Sequence, residues 1–258
     1  MEPRTFTIGD IHGGLLGLRQ LIDKLELQQN DTLIFLGDYV DGWSESAQVI
    51  DYLMKLREKH DCIFIKGNHD EYCENWLRSG ITNDIWLFHG GVKTIESYEG
   101  YTEYDKLQHL QFIEQMKLFH IDADNRLFIH AGFSSMHGPQ KEVYESNFNW
   151  DRTLWETAIS LDKTLDKNSP LYPKRLTLFH EIYIGHTPTT RYNQSGPMNG
   201  ANVWNVDTGA AFKGRLTALN IDTKEFIQSE ELYSLYPDES GRNESPYNVI
   251  KKKYNIPD

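Results

Sequence analysis

The chain has 258 residues, 39% apolar and 25% charged, enough for one large domain with a substantial core. A formal net charge of −12 makes nucleic-acid backbones and anionic membranes poor partners, and no apolar run approaches the ~18 residues of a membrane span. Cys62 and Cys73 form no C-x-x-C pair and read as free thiols, and the start Met1-Glu-Pro-Arg4 has no signal-peptide core, so the expected compartment is the cytoplasm.

Strand and helix signals alternate from the start. Thr5–Ile8 reads as a strand, and Leu15–Leu25 carries Leu18, Leu21, Ile22 and Leu25 at helical spacing. Thr32–Leu36 is a second apolar run, and Ser44–Lys59 a helix with Ile50, Leu53 and Met54 on one face. Cys62–Ile65 is a third strand, followed by a helix to about Arg78. Residues 81–100 are mixed. Tyr101–Phe119 reads as a helix with Leu107, Leu110, Ile113 and Met116 on one side. Arg126–Ile129 is a strand, Ser134–Asn149 a loop, Trp150–Leu161 a helix and Glu181–Ile184 a strand. Asn202–Val206, Gly214–Ile221 and Glu225–Gln228 read as three more strands. Pro237–Pro246 is rich in Pro, Glu, Ser, Gly and Asn and reads as a linker to a tail with Lys251-Lys-Lys253. The domain is therefore expected over 1–236 and the linker and tail over 237–258. Repeated strand–loop–helix units argue for a buried sheet covered by helices, with the loops at the strand ends on one rim.

Five strand ends carry the same punctuation: Gly9-Asp10-x-His12, Gly37-Asp38, Gly67-Asn68-His69, His130 and Gly185-His186. In an extended segment residues two apart face the same side, so Asp10 and His12 can aim an oxygen and a nitrogen at one point. A core histidine or a surface aspartate explains any one of these ends. Five ends with an oxygen or nitrogen donor suit two divalent ions, and the prominence of imidazole favours manganese, iron or zinc over calcium or magnesium.

Gly9-Asp-Ile-His-Gly13, Gly37-Asp-Tyr-Val-Asp41, Gly67-Asn-His-Asp70, His130-Ala-Gly132 and Gly185-His-Thr-Pro188 together resemble the calcineurin-like metallophosphoesterases. Trp86-Leu-x-x-Gly-Gly91, Trp150-Asp-Arg152 and Asp207-Thr-Gly209 resemble the compact bacterial and phage members of the phosphoprotein phosphatase branch. The resemblance runs from Thr5 to about Ile221. It implies an α/β fold, a four-layer α/β/β/α sandwich with two mixed sheets. It also implies one metal on Asp10, His12 and Asp38 and a second on Asp38, Asn68, His130 and His186, with Asp38 bridging. His69, oriented by Asp41, resembles the histidine that assists the leaving oxygen, and Arg152 the arginine that holds phosphate oxygens. Asp207 is expected to support the site rather than ligate.

The reaction so implied is hydrolysis of a phosphate ester by a metal-bridging hydroxide. The expected substrate is a phosphoserine or phosphothreonine protein or a small phosphoester. The alternatives are a dinucleoside tetraphosphate hydrolase, a phosphodiesterase and an inactive binding module of the same fold. One departure bears on the substrate: protein phosphatases of this branch carry an arginine where this chain has Gly42. Either Arg152 and the metals suffice, or another cation reaches in, with Lys66 and Arg191 as candidates, or the substrate differs. Trp43 and Trp86 are candidates to line a substrate groove.

Overall fold

The computed structural model describes residues 3–243. The Lys251-Lys-Lys253 run and the end of the Pro237–Pro246 stretch lie outside the described residues.

Three apolar, β-branched or aromatic runs make the first parallel unit: β1 (Thr5–Ile8), β2 (Thr32–Phe35) and β3 (Asp61–Phe64). Thr5 pairs with Thr32 and Ile8 with Phe35, while Thr32 pairs with Asp61 and Phe35 with Phe64. The strands therefore end level, and the loops that follow them leave at one rim. Between them run α1 (Leu15–Leu25) and α2 (Ser46–Leu56), and α3 (Asn68–Ser79) follows β3. Short α4 (Asp84–Trp86), a π-type turn at Leu87–Gly91, α5 (Val92–Ser97) and α6 (Glu103–Glu114) cover the same side.

The second sheet is built from β4 (Phe119–Ile121), β5 (Arg126–Ile129), β6 (Glu181–Ile184), β7 (Met198–Gly200) and β8 (Val203–Asn205). Its order is β4-β5-β6-β8-β7, with β5, β6 and β8 parallel and the two edge strands antiparallel. Short α7 (Asn147–Trp150) and α8 (Thr153–Ser160) lie in the β5–β6 connection. Then β9 (Arg215–Asn220) and β10 (Phe226–Glu231) return to the first sheet, whose order is β10-β9-β1-β2-β3. A final turn of helix, α9 (Leu232–Leu235), closes on α1.

Three cores follow. One lies between the first sheet and α1, α2, α3 and α6, one between the second sheet and α8, and a third between the sheets. The inter-sheet core joins Ile34, Leu36 and Ile65 to Phe128, Tyr183 and Val206, and the Phe128 and Tyr183 rings stack at 4.9 Å. The result is the four-layer α/β/β/α sandwich with two mixed sheets.

Several elements differ from the reading of the sequence. The helix expected over Tyr101–Phe119 stops at Glu114, and Leu107 is exposed while His109 and Phe112 are buried. The stop is tertiary. Lys117 exchanges backbone hydrogen bonds with the end of β3, its N–H to Phe64 O (2.9 Å) and its O from Lys66 N–H (2.8 Å). Phe119 then pairs with Ile129 as a strand. The helix expected from Trp150 begins at Thr153, where the Asp151 carboxylate accepts the N–H groups of Thr153 and Leu154 in the first turn. The edge strand Met198–Gly200 has no counterpart in the sequence reading.

Candidate active site

Loops after β1, β2, β5 and β6 and the first turn of α3 bring Asp10, His12, Asp38, Asp41, Asn68, His69, His130 and His186 together, all buried. The backbone there is bent into conformations that L-residues avoid. His12 (φ 53°), Asp38 (54°), Asp41 (71°) and His186 (65°) all lie in the left-handed region. Such strain persists only where surrounding bonds over-determine it. Here the Asp38 carbonyl accepts from Ile11 N (3.0 Å) and His12 N (2.9 Å), and the Tyr39 carbonyl accepts from Gly13 N (2.8 Å).

Two glycines permit the approach of these loops. A Cβ on Gly67 would stand 2.1 Å from Asp38 Oδ1, and one on Gly185 would stand 2.1 Å from Asp10 Oδ1. With glycine in both places the His69 N–H reaches Asp38 Oδ1 (3.0 Å) and the His186 N–H reaches Asp10 Oδ2 (3.1 Å).

The donor set has the chemistry of a divalent-metal centre. Asp38 is common to two groups of facing ligand atoms, one with His12 and His69 and the other with His130 and His186. His12 Nε2 lies 3.6 Å from Asp38 Oδ2 and 3.9 Å from Asp10 Oδ2, and His130 Nε2 lies 3.4 Å from Asp38 Oδ2. His130 Nε2 and His186 Nδ1 both face Asn68 Oδ1, at 3.2 and 3.0 Å. Backbone carbonyls fix which nitrogen faces in. His12 Nδ1 donates to Asp41 O (2.8 Å) and His130 Nδ1 to Leu36 O (2.8 Å), leaving each Nε2 turned to the carboxylates.

Charge balance points the same way. Burial, with Asp207 and then Asp38 nearby, pushes Asp10 well above the usual carboxylate range. Burial also pushes His12 and His186 well down, into the neutral ligating form, while the Asp38 carboxylate lifts His130 to about 10 against its burial. His186 Nε2 is buried with no hydrogen-bond partner among the described residues. Crowded carboxylates, two neutral imidazoles, a proton held on His130 by Asp38 and an orphaned nitrogen are what bound cations satisfy or displace.

Behind His69 stands a carboxylate held from several sides. Asp41 Oδ2 accepts from His69 Nδ1 (2.6 Å) and from Trp86 Nε1 (2.7 Å), and its Oδ1 from Thr94 Oγ1 (2.5 Å). Burial lifts Asp41 to about 7 against the pull of Thr94 and Trp86. Burial and then the charge of Arg242 bring His69 down to about 3. With Nδ1 on Asp41, the Nε2 edge of His69 is left for the cleft.

The cleft has a volume of about 280 Å³. Its floor is His12, Asp38, Asn68, His69, His186 and Asp207, and its walls include the rings of Tyr72, Trp150 and Phe212. Three arginines, Arg152, Arg191 and Arg242, line it. Asp10, Asp41 and His130 stand just behind the lining. Trp43 and Trp86, expected as groove candidates, are fully buried: Trp43 Nε1 donates to Ala210 O (2.8 Å) and Trp86 serves Asp41. Lys66 is paired with Glu74 at 2.5 Å and is absent from the lining, so of the two named cations only Arg191 reaches the cleft.

The sequence reading missed Asp70, Thr94, Tyr72, Phe212 and Arg242. Asp70 lies inside a motif it used, and Gly42 signalled a cation owed from elsewhere.

A family model described as calcineurin-like phosphoesterase matches residues 3–210. The chain belongs to that family. Curated relatives of this phosphoesterase include a protein named bis(5'-nucleosyl)-tetraphosphatase PrpE (asymmetrical) in Anoxybacillus flavithermus. That protein is 29% identical over 237 residues, which span 85% of this chain and 91% of the relative. One of the same name in Halalkalibacterium halodurans is 28% identical over 241 residues, with the same shares covered. Among solved structures, one provisionally named a diadenosine tetraphosphatase superposes with a TM-score of 0.60 at 19% identity, covering 88% of this chain and 92% of that one. A protein serine/threonine phosphatase from Saccharomyces cerevisiae superposes with 0.59 at 15% identity, covering 88% and 80%. At these identities the structures speak for the fold alone.

Proposed function

We propose that this phosphoesterase is a metal-dependent hydrolase of dinucleoside polyphosphates, with dinucleoside tetraphosphate as the substrate class. The observation that carries the reading is the cleft's composition. Three arginines and three aromatic rings surround the paired ligand groups. A polyphosphate chain is dense in negative charge, which guanidinium groups neutralise bidentately. Its terminal bases want π faces, each worth about 1–3 kcal/mol by stacking. The names of the curated relatives support the same reading over the expected serine/threonine protein phosphatase.

In this reading Asp10, His12 and Asp38 would hold one divalent ion, and Asp38, Asn68, His130 and His186 a second. Two such ions, when bound, supply Lewis-acid charge and lower the pKa of water to near neutrality. The protein's share is positional. Carbonyls of Asp41 and Leu36 set the imidazole tautomers, and Asn68 adds a neutral oxygen where a further carboxylate would crowd the site. His69, held at Nδ1 by Asp41, presents Nε2 to the departing oxygen. Arg152 and Arg191 grip phosphate oxygens at the rim. A nucleotide leaves readily without a proton, so His69 weighs less on this substrate than on an alkyl phosphate.

The test is a matched assay of the manganese-loaded protein, with and without chelator, on diadenosine tetraphosphate and on a phosphothreonine peptide. We expect chelator-sensitive nucleotide release with the peptide spared. Phosphate release from the peptide with the dinucleotide intact would return the protein phosphatase reading.

A further inference from the structure

A side chain at position 42 would be strained and tightly packed. Gly42 has φ +129°, and a Cβ there would stand 3.2 Å from His12 O and 3.3 Å from Arg242 Cγ. The space beside the second motif is thus taken by an arginine from the far end of the chain.

The segment bearing it is pinned. Glu239 accepts from Ser44 N (2.9 Å) and Ser44 Oγ (2.6 Å). Gly241 sits against Trp43, where a Cβ would come within 2.7 Å of the indole, and the Arg242 N–H donates to Ala211 O at 2.9 Å. Trp43 itself stacks on Tyr236 at 5.1 Å. Residues 43 and 44, directly after the second motif, therefore receive the segment that carries Arg242.

Its side chain lines the cleft with Asp38 and His69, and the guanidinium carbon lies 5.4 Å from the Phe212 ring. Among the described residues the guanidinium makes no hydrogen bond and no ion pair. A guanidinium has five N–H donors in a rigid fork. Among the described residues, the backbone and Phe212 hold it in a phosphoesterase cleft, within the field of Asp38 and Asp41, without spending them.

We propose that Arg242 is a substrate-binding residue that grips phosphate oxygens, delivered by the C-terminal segment into the space left open by Gly42. This rests on the phosphoesterase reading of the site and not on the choice of dinucleotide. It assigns to residues 239–242 a part in the site, where the sequence alone suggested a linker.

The experiment compares wild type, Arg242→Ala and Arg242→Lys as full-length, manganese-loaded protein. It reads inorganic phosphate affinity by calorimetry, KM and kcat on p-nitrophenyl phosphate, bound metal and Tm. For Arg242→Ala we expect phosphate affinity to weaken and KM to rise by roughly 10–100-fold, the worth of charged hydrogen bonds. Bound metal should be unchanged. Arg242→Lys should fall between, because it keeps the charge and loses the fork. Unchanged phosphate affinity in a folded Arg242→Ala would overturn the proposal. Tighter phosphate binding or faster turnover would also overturn it, by making Arg242 a plug over the carboxylates. Should Arg242→Ala not fold, Arg242→Lys and Ser44→Ala, which loosens the Glu239 anchor, decide by the same readouts: weaker phosphate binding supports the proposal and wild-type affinity rejects it. A wild type that binds phosphate through Arg242 yet leaves diadenosine tetraphosphate intact would sink the substrate reading alone.

Discussion

Asp70 holds Asp38 by its backbone. One Asp70 oxygen accepts the N–H groups of Asp38 and Gly67, both at 2.8 Å, and the other accepts Tyr39 N–H at 2.8 Å. The carboxylate is fully buried and faces inward from α3, so the third motif orders the loop of the second. Asp70→Asn puts an amide donor against backbone donors. We expect a loss of about 2–4 kcal/mol in unfolding free energy. Metal affinity should fall by roughly 10–100-fold. Denaturant unfolding and metal titration check both, and a variant with wild-type metal affinity would detach Asp70 from the site.

Trp86 and His69 share one oxygen of Asp41. Trp86→Phe keeps a ring in the core and removes one hydrogen bond to that oxygen. Turnover on an alkyl phosphate should fall, though less than for His69→Asn, where about 10²–10⁴-fold is expected. Bound metal should stay constant in both. Equal losses on alkyl phosphate and p-nitrophenyl phosphate for His69→Asn would leave His69 a purely structural part.

Much of the candidate site's layout was legible because its candidate donors sit at strand ends marked by glycine. The ends of β1, β2, β3, β5 and β6 were placed to within about a residue, since apolar runs stop abruptly at Gly-Asp, Gly-Asn or His. What failed was what depends on distant partners. Nothing local in Met116-Lys117 says that Phe64 and Lys66 will capture this backbone and end the helix. Met198-Asn-Gly200 is too short to show alternation, and it is a strand only because β8 lies beside it. Arg242 stands in a Pro-, Gly- and Ser-rich stretch whose docking rests on Ser44, Trp43 and Ala211. The sequence registered this arginine only as a cation missing at Gly42.

Metal binding should stabilise the fold, because it relieves the crowding of Asp10, Asp38 and Asp207. Adding manganese to chelator-treated protein is expected to raise Tm in a concentration-dependent way. Asp38→Asn, altered at the carboxylate common to both ligand groups, should lose that response together with activity. Wild-type turnover with two ions bound to Asp38→Asn would rule out the shared-carboxylate arrangement.

Glu142 organises the loop between β5 and Trp150. Burial opposes its ionisation, but N–H groups of Ser134, Ser135 and Tyr144 and the Asn147 amide hold it down at about 2. A carboxylate depressed in the folded state stabilises above its ordinary value, near about 4.3, and that contribution is lost as pH falls toward 2. Wild-type Tm should therefore drop more steeply between about pH 4 and 2 than that of Glu142→Gln, with the two lines converging at the acid end. Parallel lines would show that the loop does not depend on this charge.

The strand that leads into Asp10 and His12, β1, lies between β2, its early neighbour, and β9, in which Asn220 pairs with Phe6. During synthesis β1 waits with one edge bare until β9 has emerged, an interval of tens of seconds at the slower elongation rates of about 5 residues per second. The order of events in a cell is thereby constrained. The candidate ligand motif Gly9-Asp-Ile-His-Gly13 is made long before the strand that completes its sheet, which lies beyond residue 210, where the family match ends. A ribosome that stalls after the recognisable domain would release a chain with every motif and an open sheet edge, a substrate for chaperones rather than an enzyme.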